Sequence, residues 1–484
     1  RFSTDQGVVF QSESLSGMSR SCVYTQTQKK AELSGDVRLI LRTERDFRGP
    51  VEVKADTFEY FLGKGKGRAE GRVMLGHGRS WAWADKMHFK MAASREQMKS
   101  LVLEGRTALH LEGEFEKAES SNGQGVFILY PDIWEIRAKE IHLMGFVDEP
   151  RIQSVEAVKG CSLKFIAESG AFTQVESGRI SFKLSRRGRL KELSAEKDVR
   201  ISAESGEDGS LRALSGAGLQ MQEDRMSITV EGRPEDPARF VFQRSDFTAE
   251  RFVFSLKNKD FEAHKEIHAV LQQAEDQEEG TSGFFKRESP VFIQGESLRY
   301  AESEKRYVFK GKVKAWQGSR TLAADELSVE RESGVLKARG RVTSVLFSRT
   351  GKKEEEERFQ IRAEKADYLA EEDRVVYEGG VRLDLKDGFL QTETLSLSLK
   401  GEGREVSHIA ALGKVVVIQG RYEGRGGHAK FDIEQEMIVI TENPVFIEKG
   451  KGQTQGTKLT FHMADGRIVI ENRERERSTT VIKS

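Results

Sequence analysis

The chain repeats one pattern of alternating apolar and polar residues, and two consecutive copies lie between Gly295 and Val342. The first copy opens at Gly295 and the second at Ala324, 29 residues later, and in each a glycine follows the opening by 16 positions. Strict alternation is typical of a half-buried β-strand, because successive side chains point to opposite faces. A glycine inside such a strand indicates a bulge or a close approach of the backbone. A repeat this short cannot bury its apolar face alone, so neighbouring copies must stack.

The same pattern recurs along most of the chain. Three more pairs of copies open 29 residues apart, at Ala55 and Ala84, at Ala138 and Ala167, and at Ala363 and Thr392. Each copy is interpreted as an Ala/Gly-Asp/Glu opening, a short strand, a turn and a longer strand with glycine near its middle. About a dozen stacked copies, apolar on one face and charged on the other, predict an all-β fold. We expect an extended repeat β-jelly-roll, or β-slide, of two apposed antiparallel sheets.

The alternation stops in the polar stretch from Gln272 to Pro290. Gln, Glu, Gly and Ser without apolar periodicity are typical of a linker. The sequence therefore predicts four segments: an N-terminal run of β repeats over 1–271, a polar linker over 272–289, a C-terminal run of β repeats over 290–471 and a charged tail over 472–484.

Composition excludes one class of partner. Acidic and basic residues number 78 each, so no net charge favours nucleic acid. No apolar run approaches the roughly 18 residues that a membrane-spanning helix needs.

The chain opens at Arg1 without a methionine or signal peptide, so we expect that an upstream segment, which could carry a membrane anchor, has been removed. Cys22 and Cys161 could pair in an oxidising compartment or remain two buried thiols.

An acidic residue follows the Ala or Gly opening of several copies, as at Asp56, Asp85, Asp325 and Glu364. Such carboxylates could serve catalysis or bind calcium. Nothing pairs them with a second ligand at a fixed spacing. The favoured interpretation is that each accepts hydrogen bonds from backbone amides at the entrance of its strand.

Two other stretches could carry chemistry. His264, Glu266 and His268 alternate along one strand and would share a face, as metal ligands require, although a solvated strand face is the favoured interpretation. The basic, glycine-rich stretch 63–68 lacks the spacing of a phosphate-binding loop and is interpreted as a hairpin turn. No Ser/His/Asp or Cys/His set stands out for nucleophilic catalysis. We therefore expect no enzymatic activity, no cofactor and no metal site.

The A-D-x-hydrophobic-x-Y opening with its downstream G-x-V resembles the OstA-like repeat of the LptA–LptC family, which also forms the N-terminal region of LptD. The resemblance is closest over residues 290–400 and also covers 50–110. It implies a periplasmic β-slide whose apolar groove carries the acyl chains of lipopolysaccharide from the inner to the outer membrane. It also implies an inner-membrane ABC transporter complex at one end and an outer-membrane assembly complex at the other. Separately, a stack of strands leaves an unpaired strand at each end, which could pair edge to edge with another copy. Whether the chain replaces LptA, LptC or part of LptD stays open.

By this resemblance, the inward apolar positions of the repeats are expected to line the lipid-binding groove: Phe58, Tyr60, Met87, Phe89, Phe252, Phe254, Leu298, Tyr300, Tyr307, Phe309, Leu327, Val329, Leu336, Val375, Tyr377, Leu395 and Leu397. Alternation alone does not separate such a groove from a plain core. Three alternatives stay open: a bridge for another envelope lipid such as phospholipid, a non-lipid β-repeat scaffold with a dry interior, and a β-helical enzyme acting on polysaccharide. The enzyme would need carboxylates clustered on one outer patch.

Overall fold

A computed structural model describes residues 2–11, 15–41, 50–91, 98–112, 133–145, 152–167, 171–186, 189–204, 211–242, 244–255, 257–258, 260–272, 285, 289–331, 333–349, 356–369, 372–385, 388–400, 405–433, 435–449, 452–463, 466–472 and 479–481. Over these ranges the chain forms 34 β-strands and one 3-10 turn, Glu302–Glu304. The all-β fold predicted from the alternation is confirmed. Within the same ranges, no helix is long and apolar enough to cross a membrane.

The first sixteen strands extend to residue 242. They are β1 (Phe2–Thr4), β2 (Val8–Gln11), β3 (Leu15–Ser19), β4 (Ser21–Thr25), β5 (Lys30–Leu41), β6 (Val51–Phe61), β7 (Lys66–His77), β8 (Ser80–Met91), β9 (Met98–Glu112), β10 (Ile133–Gly145), β11 (Ile152–Ile166), β12 (Phe172–Leu184), β13 (Leu190–Glu204), β14 (Leu211–Gln222), β15 (Ser227–Glu231) and β16 (Ala238–Phe242).

The remaining strands follow in the same manner. They are β17 (Ser245–Ala249), β18 (Arg251–Ser255), β19 (Phe261–Leu271), β20 (Val291–Ala301), β21 (Arg306–Gln317), β22 (Arg320–Glu330), β23 (Leu336–Arg349), β24 (Glu356–Leu369), β25 (Arg374–Leu385), β26 (Gly388–Lys400), β27 (Glu405–Gln419), β28 (Tyr422–Asp432), β29 (Met437–Thr441), β30 (Val445–Glu448), β31 (Gly452–Gln455), β32 (Lys458–His462), β33 (Ile468–Glu471) and β34 (Thr479–Val481).

The strands belong to two compact units, residues 1–243 with 250–259 and residues 244–249 with 260–484. In the first unit, β5 to β14 pair antiparallel in chain order; β5 also pairs with β3 and β4, and β14 with β15 and β16. In the second unit, β19 to β28 pair antiparallel in chain order, β17 pairs with β19, and β28 pairs with β29 and β30. Each unit is therefore built around a run of long strands in simple up-and-down order.

The long strands change register near their middles. Between β20 and β21, the pairing passes from Gln294 with Lys314 to Ser297 with Lys310. Such a shift is a β-bulge, which bends the strand and increases its twist. The bulges divide each long strand into two parts. We call layer A the parts that carry Val53, Leu75 and Ala82 in the first unit and Ile293, Ala315 and Leu322 in the second. Layer B comprises the parts that carry Phe58, Ala69 and Met87 in the first unit and Leu298, Phe309 and Leu327 in the second.

Side chains of layer A pack against those of layer B within each unit. In the first unit, the rings of Trp134 (layer A) and Phe182 (layer B) have centroids 5.1 Å apart, although β11 separates their strands. In the second unit, the rings of Phe359 (layer A) and Phe431 (layer B) are 6.3 Å apart, with three strands between them. Contacts between strands that are not neighbours require each sheet to fold over at its bulges. The predicted pair of apposed antiparallel sheets is confirmed.

The repeated glycine and the repeated carboxylate meet at the bulges. A Cβ atom built on Gly340, whose φ is +73°, would lie 2.5 Å from Asp325 Oδ2 on the neighbouring strand, so only glycine leaves room for the carboxylate. The next residue, Arg341, also has a positive φ and donates hydrogen bonds to Asp325. We call this arrangement of carboxylate, glycine and cation the bulge clip. It recurs at Asp56, Gly71 and Arg72; at Asp85, Gly105 and Arg106; at Glu296, Gly311 and Lys312; and at Glu393, Gly413 and Lys414.

The bulge clip corrects one prediction from the sequence. The repeated carboxylates were expected at strand entrances, but Asp325 lies in the middle of β22, because that strand already begins at Arg320. Their partner is mainly the cation across the bulge. Asp85 also accepts a hydrogen bond from the backbone amide of Arg106, at 2.9 Å.

The predicted segment limits stay a prediction. Most of the polar linker, 273–284 and 286–288, lies outside the described residues, as do 473–478 and 482–484 of the predicted tail. The strands on either side of the linker, β19 and β20, pair with each other inside the second unit.

Candidate functional site

In the second unit, the residues predicted to line a groove lie on two continuous rows of layer B. The register joins Leu298 to Phe309 and Phe309 to Leu327 across three strands, and the same row includes Tyr377 and Leu395 on β25 and β26. The second row, two residues nearer the strand ends, contains Tyr300, Tyr307, Val329, Leu336, Val375 and Leu397. Alternation and register thus bring all of these side chains to one face.

These two rows are closed in the structure. All their predicted members are buried except Val329, which is half-buried. Tyr307 contacts Tyr300 within its own layer, at 4.7 Å between ring centroids, and Phe247 of layer A, at 5.7 Å. Burial raises the pKa of Tyr307 to about 12. The interior of the second unit is therefore filled by its own side chains at these positions.

In the first unit, the predicted residues again form two rows of layer B, but their burial changes along the rows. Phe58 and Met87 share one row with Phe252; Tyr60 and Phe89 share the other with Phe254. Phe252 and Phe254 are completely buried, and Met87 is 1% exposed. Phe58, Tyr60 and Phe89 are only half-buried. The interior of this unit is closed around β18 and open around β6 to β8.

The side chains of layer A differ in size between these two places. Near β18, Phe240 of layer A reaches Phe254 at 4.8 Å and closes the space between the layers. Around β6 to β8, layer A offers the shorter aliphatic side chains Val53, Leu75 and Ala82. Shorter side chains fill less of the space between two packed layers.

We call the half-buried group of Phe58, Tyr60 and Phe89 the aromatic mouth. Phe89 stacks on both of the others, with centroid distances of 5.7 Å to Phe58 and 6.0 Å to Tyr60. Among the aromatic rings of the described residues, those of the mouth stack on each other. A partly exposed apolar cluster on a continuous apolar face is a candidate site for an apolar ligand.

Sequence reasoning missed the strands that complete this mouth. Ala31 pairs with Tyr60, and Tyr24 pairs with Ala31; both are half-buried and lie on the same row. Tyr24 lies on β4, which has five residues, so its alternation with Cys22 is too short to stand out. This short alternation is nevertheless the sequence signal that points to β4.

The other candidates are not brought together into a site. His264 and His268 lie on either side of the bulge in β19, where Lys265 and Glu266 adopt positive φ. His264 lies 3.5 Å from Glu262, and His268 contacts Gln294. Over the ranges that the structure describes, no three metal-ligating side chains cluster. Cys22 and Cys161 are both free thiols, and burial raises the pKa of each.

A match to a protein family supports the sequence resemblance. Residues 292–357 and 360–467 match a family described as the LptA/LptD N-terminal domain of LPS transport proteins. Among solved structures, the chain is similar to LptH of Pseudomonas aeruginosa, described as the LptA-homologous periplasmic component of the lipopolysaccharide transport device. That alignment has 16% identity and a TM-score of 0.23, and it covers 26% of this chain and 95% of the other. No curated protein matches the chain.

Proposed function

Because residues 292–357 and 360–467 match the LptA/LptD N-terminal family of lipopolysaccharide transport proteins, we propose that this chain is a non-enzymatic periplasmic bridge for lipopolysaccharide. The lipid's acyl chains would occupy the apolar space between layers A and B and pass from the inner towards the outer membrane. The single observation that carries this proposal is the aromatic mouth, where a continuous apolar face is left partly uncovered by the protein itself.

The interior suits a ligand that must be held and also move. Burial of apolar surface stabilises a complex by about 25 cal/mol per Å² without fixing direction, so an acyl chain can slide along a row of such side chains. No proton transfer and no cofactor is needed for this. In the second unit, entry of an acyl chain requires the layers to separate where Phe247 contacts Tyr307.

The partners of such a bridge would be an inner-membrane ABC transporter complex and an outer-membrane assembly complex. Among the described strands, β1 and β2 pair on one side only, as do β33 and β34. Unpaired strand edges are ready to add to another sheet. Val9 on β2 is 81% exposed, which favours pairing with a partner or with a second copy at that edge.

A photo-reactive amino acid in place of Phe89 tests the proposal. We expect a crosslink to lipopolysaccharide in cells, identified by mass spectrometry, and none from the same group in place of Lys86, which lies on the outward face of β8. A crosslink from position 309 should require an active transporter, since the layers there must open, whereas position 310 should remain silent. Phospholipid as the only adduct would replace lipopolysaccharide as the cargo. Equal crosslinking at 86 and 89, or none at either in folded protein, would refute lipid binding.

A further inference from the structure

Basic residues lie at the ends of the strands that carry the aromatic mouth, and those on β7 and β8 start from the outward face. The turn 26–29 joins β4 to β5, the turn 62–65 joins β6 to β7, and both lie beside the end of β8. Backbone hydrogen bonds join these chain ends: Leu62 N donates to Lys29 O at 2.9 Å, and Met91 N donates to Gly65 O at 2.8 Å. Lys29, Lys64, Lys66 and Lys90 all lie on this edge and are exposed. We call these four lysines the basic rim.

The lysines of the basic rim have no acidic partners among the described residues. Neighbouring cations do: Lys30 lies 3.3 Å from Glu59 and also pairs with Glu32, and Arg68 lies 2.8 Å from Glu59. The carboxylates of Glu32 and Glu59 are thus already paired with other side chains. Four positive charges are left together on one edge of a protein whose acidic and basic residues are equal in number.

The placement of two of these lysines is unfavourable for folding. Lys66 and Lys90 are direct cross-strand partners on β7 and β8. Side chains in this relation have Cβ atoms about 5 Å apart, and like charges there destabilise the pair. A bound anion between them would remove this repulsion.

The basic rim and the aromatic mouth are consecutive along the strands. Phe89 precedes Lys90, Gly67 follows Lys66, and Tyr60 lies two residues before the turn that carries Lys64. Lysine stems are long and flexible enough to carry the ammonium group around a strand end while their methylenes cover apolar surface. A molecule with acyl chains in the mouth would therefore place its polar end among these lysines.

We propose that the basic rim binds the phosphate groups of a phosphorylated lipid whose acyl chains occupy the aromatic mouth. This inference rests on the proposed lipid-binding function and adds the charge and position of the head group. Lysine binds phosphate as a point charge and does not require a fixed geometry. Such binding suits a site that must hold the lipid on entry and release it afterwards.

The test uses the full chain and two lipids that differ only in phosphorylation: diphosphorylated lipid A and the same lipid with its phosphates removed. One variant changes Lys29, Lys64, Lys66 and Lys90 to Gln. A matched control makes the same change at Lys139, Lys159, Lys191 and Lys197, four exposed lysines elsewhere in the first unit. We expect the rim variant to bind diphosphorylated lipid A at least about tenfold more weakly, and the control variant to bind within about twofold of the parent. Both variants should bind the dephosphorylated lipid as the parent does.

The outcomes separate this inference from the proposed function. If the parent binds neither lipid, the proposed function fails. If the parent binds both lipids and the rim variant keeps its affinity for the phosphorylated one, the basic rim is not the head-group site, while lipid binding stands. Inorganic phosphate is a third probe, and we expect it to compete only weakly. Competition at micromolar concentration would show a free-phosphate site and overturn the assignment to a lipid. Circular dichroism of both variants, expected to match the parent, checks that they are folded.

Discussion

The ring of Phe89 occupies the space beside Gly67, its cross-strand partner. A Cβ atom on Gly67 would lie 2.2 Å from Cζ of that ring, closer than any real contact. Because Gly67 has no side chain, the Phe89 ring has room to pack against layer B. One glycine thus sets the shape of the opening.

Replacing Gly67 by Ala tests this relationship. We expect the Gly67→Ala variant to displace the Phe89 ring, to lose about 1–3 kcal/mol of unfolding free energy and to bind lipid more weakly. Gly76→Ala is the matched control on the same strand, because a Cβ there meets nothing within 4 Å, and its stability should change by no more than about 0.5 kcal/mol. Urea unfolding measures both. Equal losses in the two variants would mean that Phe89 has room to move.

The bulge clip predicts that glycines with similar backbone angles differ in importance. Gly311 and Gly318 both have positive φ, at +80° and +57°. A Cβ on Gly318 meets nothing within 4 Å, whereas one on Gly311 would lie 2.5 Å from a carboxylate oxygen of Glu296. Gly318→Ala should cost about 1–2 kcal/mol, the price of a left-handed alanine, and Gly311→Ala clearly more. Denaturant midpoints measure the stability of both variants. A smaller loss of stability for Gly311→Ala than for Gly318→Ala would mean that the carboxylate does not require glycine at the bulge.

The carboxylate of the bulge clip should make stability depend on pH. Hydrogen bonds from Arg341 hold the pKa of Asp325 below its usual value. The charged form is therefore favoured in the folded state. Its contribution is fully present above the unfolded pKa, near pH 4, and is lost as the pH falls through the lower folded value.

An Asp325→Asn variant should thus be less stable than the parent at pH 7, and the difference should shrink as the pH falls below the unfolded pKa of Asp325 and through its lower folded pKa. Glu364→Gln serves as the control, because Glu364 faces Gly379 in the same way but Gly380 takes the place of the cation. At pH 7 the Glu364→Gln variant should lose less unfolding free energy than the Asp325→Asn variant. Urea unfolding at several pH values measures both variants. A difference for Asp325→Asn that persists unchanged into acid would rule out the ion pair as its cause.

The two faces of β20 and β21 should respond differently to truncation. Phe309 is completely buried in layer B, whereas Phe292 is 36% exposed on the outer face. Phe309→Ala should cost about 3–5 kcal/mol because it leaves a cavity between the layers. Phe292→Ala loses mainly its stacking on Trp316, at 5.5 Å, and should cost about 1 kcal/mol. Urea unfolding compares them, and similar losses would mean that the interior at Phe309 is loosely packed.

The faces of the strands were predictable because alternation is a local property. Every residue between Leu298 and Val313 that alternation assigned to the interior, including Tyr307 and Phe309, is buried. The central glycine was correctly expected at a bulge. The limits of the strands were harder to predict, because each strand continues on both sides of its bulge and the repeat opening therefore falls in mid-strand, as at Asp325 on β22.

Alternation could not predict whether the interior is closed or open at a given place. Phe58 and Leu298 occupy the same position in their copies of the repeat, yet Phe58 is half-buried and Leu298 is buried. At the closed places, layer A contributes large rings that come from other strands: Phe240 contacts Phe254, and Phe247 contacts Tyr307. Alternation fixes which way a side chain points, but it does not reveal what lies opposite.

The bulge clip also bears on how such a protein can change its size. Each clip is completed by two neighbouring strands and needs nothing from the rest of the unit, as Glu296 with Lys312 and Asp325 with Arg341 illustrate. Duplication of one 29-residue copy would add two strands together with their own bulge clip. The rows of apolar side chains in layers A and B would continue in register. Selection can therefore lengthen or shorten the space between the layers by whole copies of the repeat, without changing the bulge clips that are already present.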